Sequence, residues 1–401
     1  MRKAGRTGFE CVLPGAVCGE VTGITMEQVS YQSGQALRRG WTTGSCAAAA
    51  AQAAAMLLLT GAAPAEIALQ TPAGLTFHLP VEQPRWEDGT AVCTVRKDAG
   101  DDPDVTNGVR ISAAVRCAES GVAIEGGAGV GRVTRPGLSV PVGEAAINPA
   151  PRAQITAAVE RAAREVDYTG GFSVVVSAEN GEELAKQTYN EHLGVVGGIS
   201  ILGTSGVVEP MSEKALVDTI RLELDSLYAA GQRVAFLCPG NYGADFARDT
   251  LGLDLERAVK CSNYIGETLD HAAFRSFADI LLVGHAGKLV KLAAGVMNTH
   301  SSVADGRQEI FTAHAALCGA ERETLEGLMD AVSVDACIQL LDAAGLRDAV
   351  MARIGKAVEK RLALRLRGKA RVEFMMFTGK YGILAQSSGA RALCERLKER
   401  V

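Results

Sequence analysis

The residues best suited to chemistry fall in a few short stretches. Gly203-Thr-Ser-Gly206 follows an apolar, β-branched run at 198–202 and precedes Glu209. Its two glycines let a backbone approach a ligand closely. An acidic residue just past such a turn suits ribose hydroxyls. Pro239-Gly-Asn-Tyr-Gly243 and Gly284-His-Ala-Gly-Lys288 have the same character and follow the apolar runs 233–238 and 279–283. His285, next to Gly284, and His300, in Met297-Asn-Thr-His-Ser-Ser302, read either as structural histidines or as proton carriers. Lys288 and Lys291 read either as a carboxylate-binding pair or as a solvated helix face. Between 97 and 106 lie Asp98, Asp101, Asp102 and Asp104. Such a cluster holds a metal, serves as a base, anchors donors or is a solvated turn around Gly100 and Pro103. Close carboxylates raise one another's pKa, which favours a proton acceptor among them.

The elements that must position these groups follow from periodicity. A helix starts at Thr43-Gly-Ser45, runs through an alanine tract to Leu59 and stops at Gly61. Strand-like runs lie at 66–70, 76–81, 91–95, 108–117 and 172–177, with a helix that follows Asn148-Pro-Ala-Pro151 and runs to about Val166. Strands and helices here do not alternate strictly, which predicts an α+β first half. The second half alternates. Strands at 198–202, 233–238, 258–260 and 279–283 are each followed by a helical segment, including one over 213–230 with Ser212 as its N-cap. That is the pattern of a parallel, doubly wound, Rossmann-like α/β sheet, and it puts the three glycine turns along one sheet edge. Helices dominate 310–367, then come a strand at 371–377 and a helix at 388–400. The predicted organisation is a glycine-rich extension over 1–36, an α+β domain over 37–193 and an α/β domain over 194–401.

Composition narrows the classes. The chain has 401 residues, a formal net charge of -5, 47% hydrophobic and 22% charged residues. No long basic run offers a nucleic-acid footprint. Ten cysteines, none in a C-x-x-C pair, fit reduced thiols in a cytoplasmic protein. The apolar stretch 47–59 is read as a buried helix too short to span a bilayer, so no membrane role is expected. No P-loop, zinc-helix or nucleophile-elbow motif is present, which argues against an ATP-using enzyme and against a hydrolase.

Five motifs together resemble the CbiD family. They are Arg39-Gly-Trp-Thr-Thr-Gly-Ser-Cys-Ala-Ala48, Lys97-Asp-Ala-Gly-Asp-Asp-Pro-Asp104, Ile147-Asn-Pro149, Gly203-Thr-Ser-Gly-Val-Val-Glu-Pro210 and Lys291-Leu-Ala-Ala-Gly-Val-Met-Asn-Thr-His-Ser301. The resemblance runs from about Leu37 to the C-terminus, with Trp41 standing where Phe or Tyr is expected. It implies methyl transfer from S-adenosylmethionine (SAM) to C-1 of cobalt-precorrin-5B, giving cobalt-precorrin-6A in anaerobic cobalamin synthesis. It also implies a Rossmann-like second domain. The cobalt would arrive with the substrate, so no enzyme-bound metal is expected. On this resemblance Gly203, Thr204, Ser205, Gly206, Glu209, Gly240, Asn241 and Gly284 are expected to hold SAM. Thr42, Thr43, Ser45, Lys288, Lys291, Asn298 and His300 are expected to meet the tetrapyrrole. Asp101, Asp104 and His285 are candidates for proton handling or for holding the ring. Gly203→Val is expected to abolish SAM binding and spare the fold. A non-catalytic corrinoid carrier is the alternative, and a homo-oligomer is compatible with either.

Overall fold

The computed structural model describes residues 29–32 and 34–399. The molecule is mixed α/β, with parallel strands. Thr42 caps the helix Thr43–Thr60 by accepting from the Ser45 N–H, and left-handed Gly61 ends it. Eight alanines of this helix are fully buried. Their small side chains let the helix lie close between the helix Pro149–Glu165 and a six-stranded sheet. At 18 residues and a mean hydropathy of 1.3 the alanine helix does have a spanning helix's length and composition, contrary to expectation, but 72% of it is buried inside the protein.

The first sheet runs in the order Glu66–Gln70, Thr76–Glu87, Thr90–Arg96, Arg110–Ala118, Gly171–Ala178, Val122–Gly126. Neighbours are antiparallel except the last pair. Alternate residues such as Ile111, Ala113 and Val115 face the helices, the period of a sheet covered on one side.

The second sheet runs in the order Ala258–Lys260, Val234–Cys238, Asp279–His285, Arg371–Thr378, Gly382–Gln386. Its first four strands are parallel and the last is antiparallel. Both faces are covered. Ile280 and Leu282 join one helical core, while Leu281 and Val283 join another, with the helices Asn241–Asp249 and Ala390–Lys398. This is why the strand Asp279–His285 reads as a continuous apolar run.

Two expectations are corrected, and a third falls mostly outside the described residues. The run 198–202 is not a strand of the second sheet. Ile199 and Ile201 make single bridges to Val130 and Ile147, and Val207–Val208 pairs with Gly40–Trp41. Ile199, Ile201 and Val207 belong to the first core, so the segment placed after a boundary near 193 packs with the first half. Lastly, the extension assigned to 1–36 lies mostly outside the described residues. Within them, Val29–Gln32 pairs with Gln35–Arg38 in an antiparallel ladder.

Candidate functional site

The chain leaves the strand Val234–Cys238 toward its outer neighbour Ala258–Lys260, then crosses back to form Asp279–His285 on the other side. At such a reversal the two connections diverge and leave a crevice beyond the carboxyl ends of the strands. A cleft of about 720 Å³ occupies that place. Gly240, Asn241, Tyr242 and Asp245 line it from one strand end and the helix after it. His285 and Lys288 line it from the other, and Arg307, Ser333 and Asp335 close it from the helical segment beyond.

Gly240 has φ 92°, a left-handed conformation that glycine adopts without strain. It caps the helix Asn241–Asp249 without a side-chain bond, so the first N–H groups of that helix stay open. His285 Nδ1 accepts from the Gly287 N–H at 3.1 Å, which places the ring hydrogen of the neutral imidazole on Nε2. Burial pushes its pKa below the ordinary histidine value, against the pull of Asp335. Lys288 Nζ donates to the Ser262 carbonyl at 3.1 Å and has no carboxylate partner among the described residues. Burial likewise lowers its pKa. Arg307 is held by Asp305 at 2.7 Å. Asp335 Oδ1 is buried and has no hydrogen-bond partner. Unpaired buried oxygens are rare because desolvation leaves them uncompensated. The cleft therefore holds one unpaired acceptor and one uncompensated cation.

Of the predicted residues, Gly240, Asn241, His285 and Lys288 come together here. Gly284 lies under the rim, buried against Leu289. Lys291 is no ligand for a substrate: it is 2% exposed, and its Nζ donates to the carbonyls of Thr299 and Ala304. Its bonds pin the segment that carries Asn298 and His300. The exposed His300 binds Ser302 within the same turn, and its N–H donates to Asn298 Oδ1.

The other predicted residues gather in the first half and share no lining residue with the cleft. Thr42, Thr43 and Ser45 are buried fasteners, not substrate ligands. Thr43 Oγ1 donates to the Ser200 and Leu202 carbonyls, and Ser45 Oγ donates to the Gly206 carbonyl. Gly203 has φ 129°, and a Cβ there would lie 2.3 Å from Thr42 Oγ1. Ser205 bonds the backbone of Val207. Glu209, expected at a ribose, instead forms an ion pair with Arg39 at 2.7 Å. Thr204 alone of this turn lines a groove, described below.

The acidic loop is a clasp. Asp98 takes two bonds from Arg38, Asp101 accepts the Arg38 N–H at 2.6 Å, Asp102 accepts the Met211 N–H, and Asp104 binds Lys97 and Thr106. Burial would raise the pKa of Asp98 and Asp104, but Arg38 and Lys97 outweigh it and hold both carboxyls below the usual range. At Asp98 and Asp104 the expected mutual raising fails because each has its own cation. Neither Asp101 nor Asp104 is a free base. Among the described residues no group of three or more His, Cys, Asp or Glu side chains is placed to hold a metal.

The CbiD family model matches residues 30–210, and that of the CbiD C-terminal domain matches residues 298–388. The chain belongs to the CbiD family. The family match starts at residue 30 and so takes in the first hairpin, ahead of the Leu37 start read from the motifs. The cobalt-precorrin-5B C(1)-methyltransferase of Ruminiclostridium cellulolyticum is 50% identical over 353 residues, 88% of this chain and 92% of that protein. The protein of the same name from Alkaliphilus metalliredigens is 41% identical over 375 residues, 93% and 98% of the two chains. A crystal structure of the cobalamin biosynthesis protein CbiD from Archaeoglobus fulgidus is 32% identical, covering 69% of this chain and 86% of that one, with a TM-score of 0.38.

Arg307 and Asp335 were invisible to sequence reasoning. Asp335 sits in the first turn of the helix Val334–Ala343, where an acidic residue is ordinary. A family-wide pattern could have raised it, but no periodicity marks it.

Proposed function

We propose that this protein is a cobalt-precorrin-5B C-1-methyltransferase that uses SAM, acts in the cytoplasm and yields cobalt-precorrin-6A. The observation that carries this reading is the 50% identity to a protein of that name across 92% of its length. We further propose that the second sheet and its helices are a Rossmann-like unit whose cleft receives SAM.

The residues present fit that donor. SAM, when bound, supplies a methyl group on a cationic sulfonium, and the C–S electron pair leaves with sulfur. Asp335 Oδ1 offers an unpaired carboxylate oxygen to positive charge or to hydroxyls. Lys288 and the open N–H groups after Gly240 suit the donor's carboxylate. His285 stays neutral near pH 7, so it adds no cation beside a sulfonium. At Gly240 a Cβ would stand 3.3 Å from Lys288 Nζ, so glycine keeps that wall open. No covalent enzyme intermediate is needed. The chain's task is to hold C-1 of the tetrapyrrole in line with the departing sulfur. Such alignment contributes roughly 7–11 kcal/mol at best. Fixed dipoles add to it as charge moves from sulfonium to macrocycle.

Anaerobic incubation with SAM and cobalt-precorrin-5B, followed by mass spectrometry, tests the reading. Gain of one methyl with an equal amount of S-adenosylhomocysteine is expected. Substrate that binds and returns unmethylated would instead support the carrier alternative.

A further inference from the structure

A second groove, of about 450 Å³, lies in the first half of the chain. Its wall is one face of the helix Pro149–Glu165, where Ala153, Gln154, Ala157 and Arg161 recur at helical spacing. Gln52 of the alanine helix forms its floor, and Thr204 of the glycine turn forms its rim. Three features separate it from an ordinary surface furrow. Gln52 is 5% exposed, yet its amide oxygen has no hydrogen-bond partner. A half-turn of the amide exchanges oxygen for NH2, so this group can accept from a ligand or donate to one. Arg161 has no ion pair or hydrogen bond among the described residues. No Asp or Glu lines the groove, whereas the cleft at the second sheet carries Asp245 and Asp335.

These differences sort ligands by charge. A tetrapyrrole with many carboxylate side chains would meet Asp245 and Asp335 in the cleft, where they stand beside Lys288 and Arg307, and meets no carboxylate here. The alanine wall leaves a slot for a flat apolar ring, Gln52 offers an amide at its end, and Arg161 offers a fork for a carboxylate at its mouth. The groove is smaller than a whole macrocycle and suits one ring with its substituents.

We propose that this groove holds a carboxylate-bearing pyrrole edge of the tetrapyrrole substrate, with Gln52 and Arg161 as the recognising side chains. The proposal rests on the methyltransferase reading. It explains why Thr42, Thr43 and Ser45 fasten the turn at 203–206 so firmly: they fix Thr204 at the rim without touching substrate.

The test uses the whole protein and cobyrinic acid, a cobalt corrinoid with free carboxylates, as the probe. Binding is followed by absorbance, and SAM affinity is measured by calorimetry on the same samples. Arg161→Ala and Gln52→Met are each expected to weaken cobyrinic acid about fivefold to tenfold, the usual scale for a lost charged or buried hydrogen bond. Ala157→Trp, at an exposed alanine that can be enlarged without disturbing the core, is expected to weaken it more than tenfold by filling the slot. SAM affinity should stay within about twofold of wild type, since none of these residues lines the cleft. Wild-type affinity for the corrinoid in all three variants overturns the proposal. So does a loss of SAM affinity instead, which would make the groove the donor's. If the wild type methylates cobalt-precorrin-5B while the variants do so with unchanged KM, only the groove is misassigned. If the wild type neither binds the corrinoid nor methylates, the functional reading falls with it.

Discussion

Replacing Gly203 with alanine should cost stability and spare the cofactor. Gly203 has φ 129°, where a side chain adds roughly 1–3 kcal/mol of strain. The new Cβ would also stand 2.3–2.5 Å from the Thr42 side chain. Thr42 must then move, and its bond from the Ser45 N–H, 3.2 Å long, is lost. A lost N-cap costs about 0.5–2 kcal/mol. Together the change should destabilise by about 1.5–5 kcal/mol, measured by urea unfolding with circular dichroism. A double-mutant cycle separates the parts. Thr42→Gly removes the atoms in the way, so its combination with Gly203→Ala should cost less than the sum of the two single changes, leaving mainly backbone strain. SAM affinity of the folded protein, read by calorimetry, should be unchanged. Normal stability with lost SAM binding would refute this reasoning and return the turn at 203–206 to the donor. The same geometry corrects the expectation for Gly203→Val: the larger side chain strikes the cap and threatens the fold itself.

Asp335→Asn should weaken SAM about tenfold, because a charged partner is lost, and change the melting temperature little, because the buried oxygen Oδ1 has no protein hydrogen bond to lose. An unchanged Kd would remove Asp335 from the site. Glu223 is buried beside Tyr189, and burial raises its pKa to about 7. Its folded value lies above its unfolded one, so its contribution is full below about pH 4.5 and is lost as pH rises through 7. Glu223→Gln should therefore stabilise the protein at pH 8 by roughly 1–3 kcal/mol and make no difference at pH 4.5. Equal effects at both pH values, read by denaturant midpoints, would contradict this. Lys97→Met strips the buried cation from Asp104 and should destabilise by about 2–4 kcal/mol, less than the roughly 3–5 kcal/mol of a fully buried pair because Asp104 is partly exposed. A neutral result in urea unfolding would show that the clasp contributes nothing.

The parts of the fold that were legible are those whose signal is local. The alanine helix announces itself by Thr42 before it and Gly61 after it. The strands Val234–Cys238 and Asp279–His285 show continuous apolar runs because both faces are covered. The turns after them mark half of the cleft. The run 198–202 misled for the same reason. Any extended segment buried on all sides looks like a central parallel strand, and its own residues do not say which core buries it. The acidic loop misled because its partner Arg38 lies 60 residues from Asp98. Without that guanidinium the carboxylates look free to titrate.

By itself the sequence determined the elements, the alternation that makes the second half a parallel α/β sheet, and the motifs that place the chain in its family. All three are carried by neighbours in the chain or by residue identity. Only the tertiary structure decided which glycine turn opens on a cleft and which is a fastening. It also brought Asp335 and Lys288 to one crevice and left Gln52 without a partner. Those outcomes depend on contacts between segments many residues apart, where packing and desolvation, not local pattern, set the free energy.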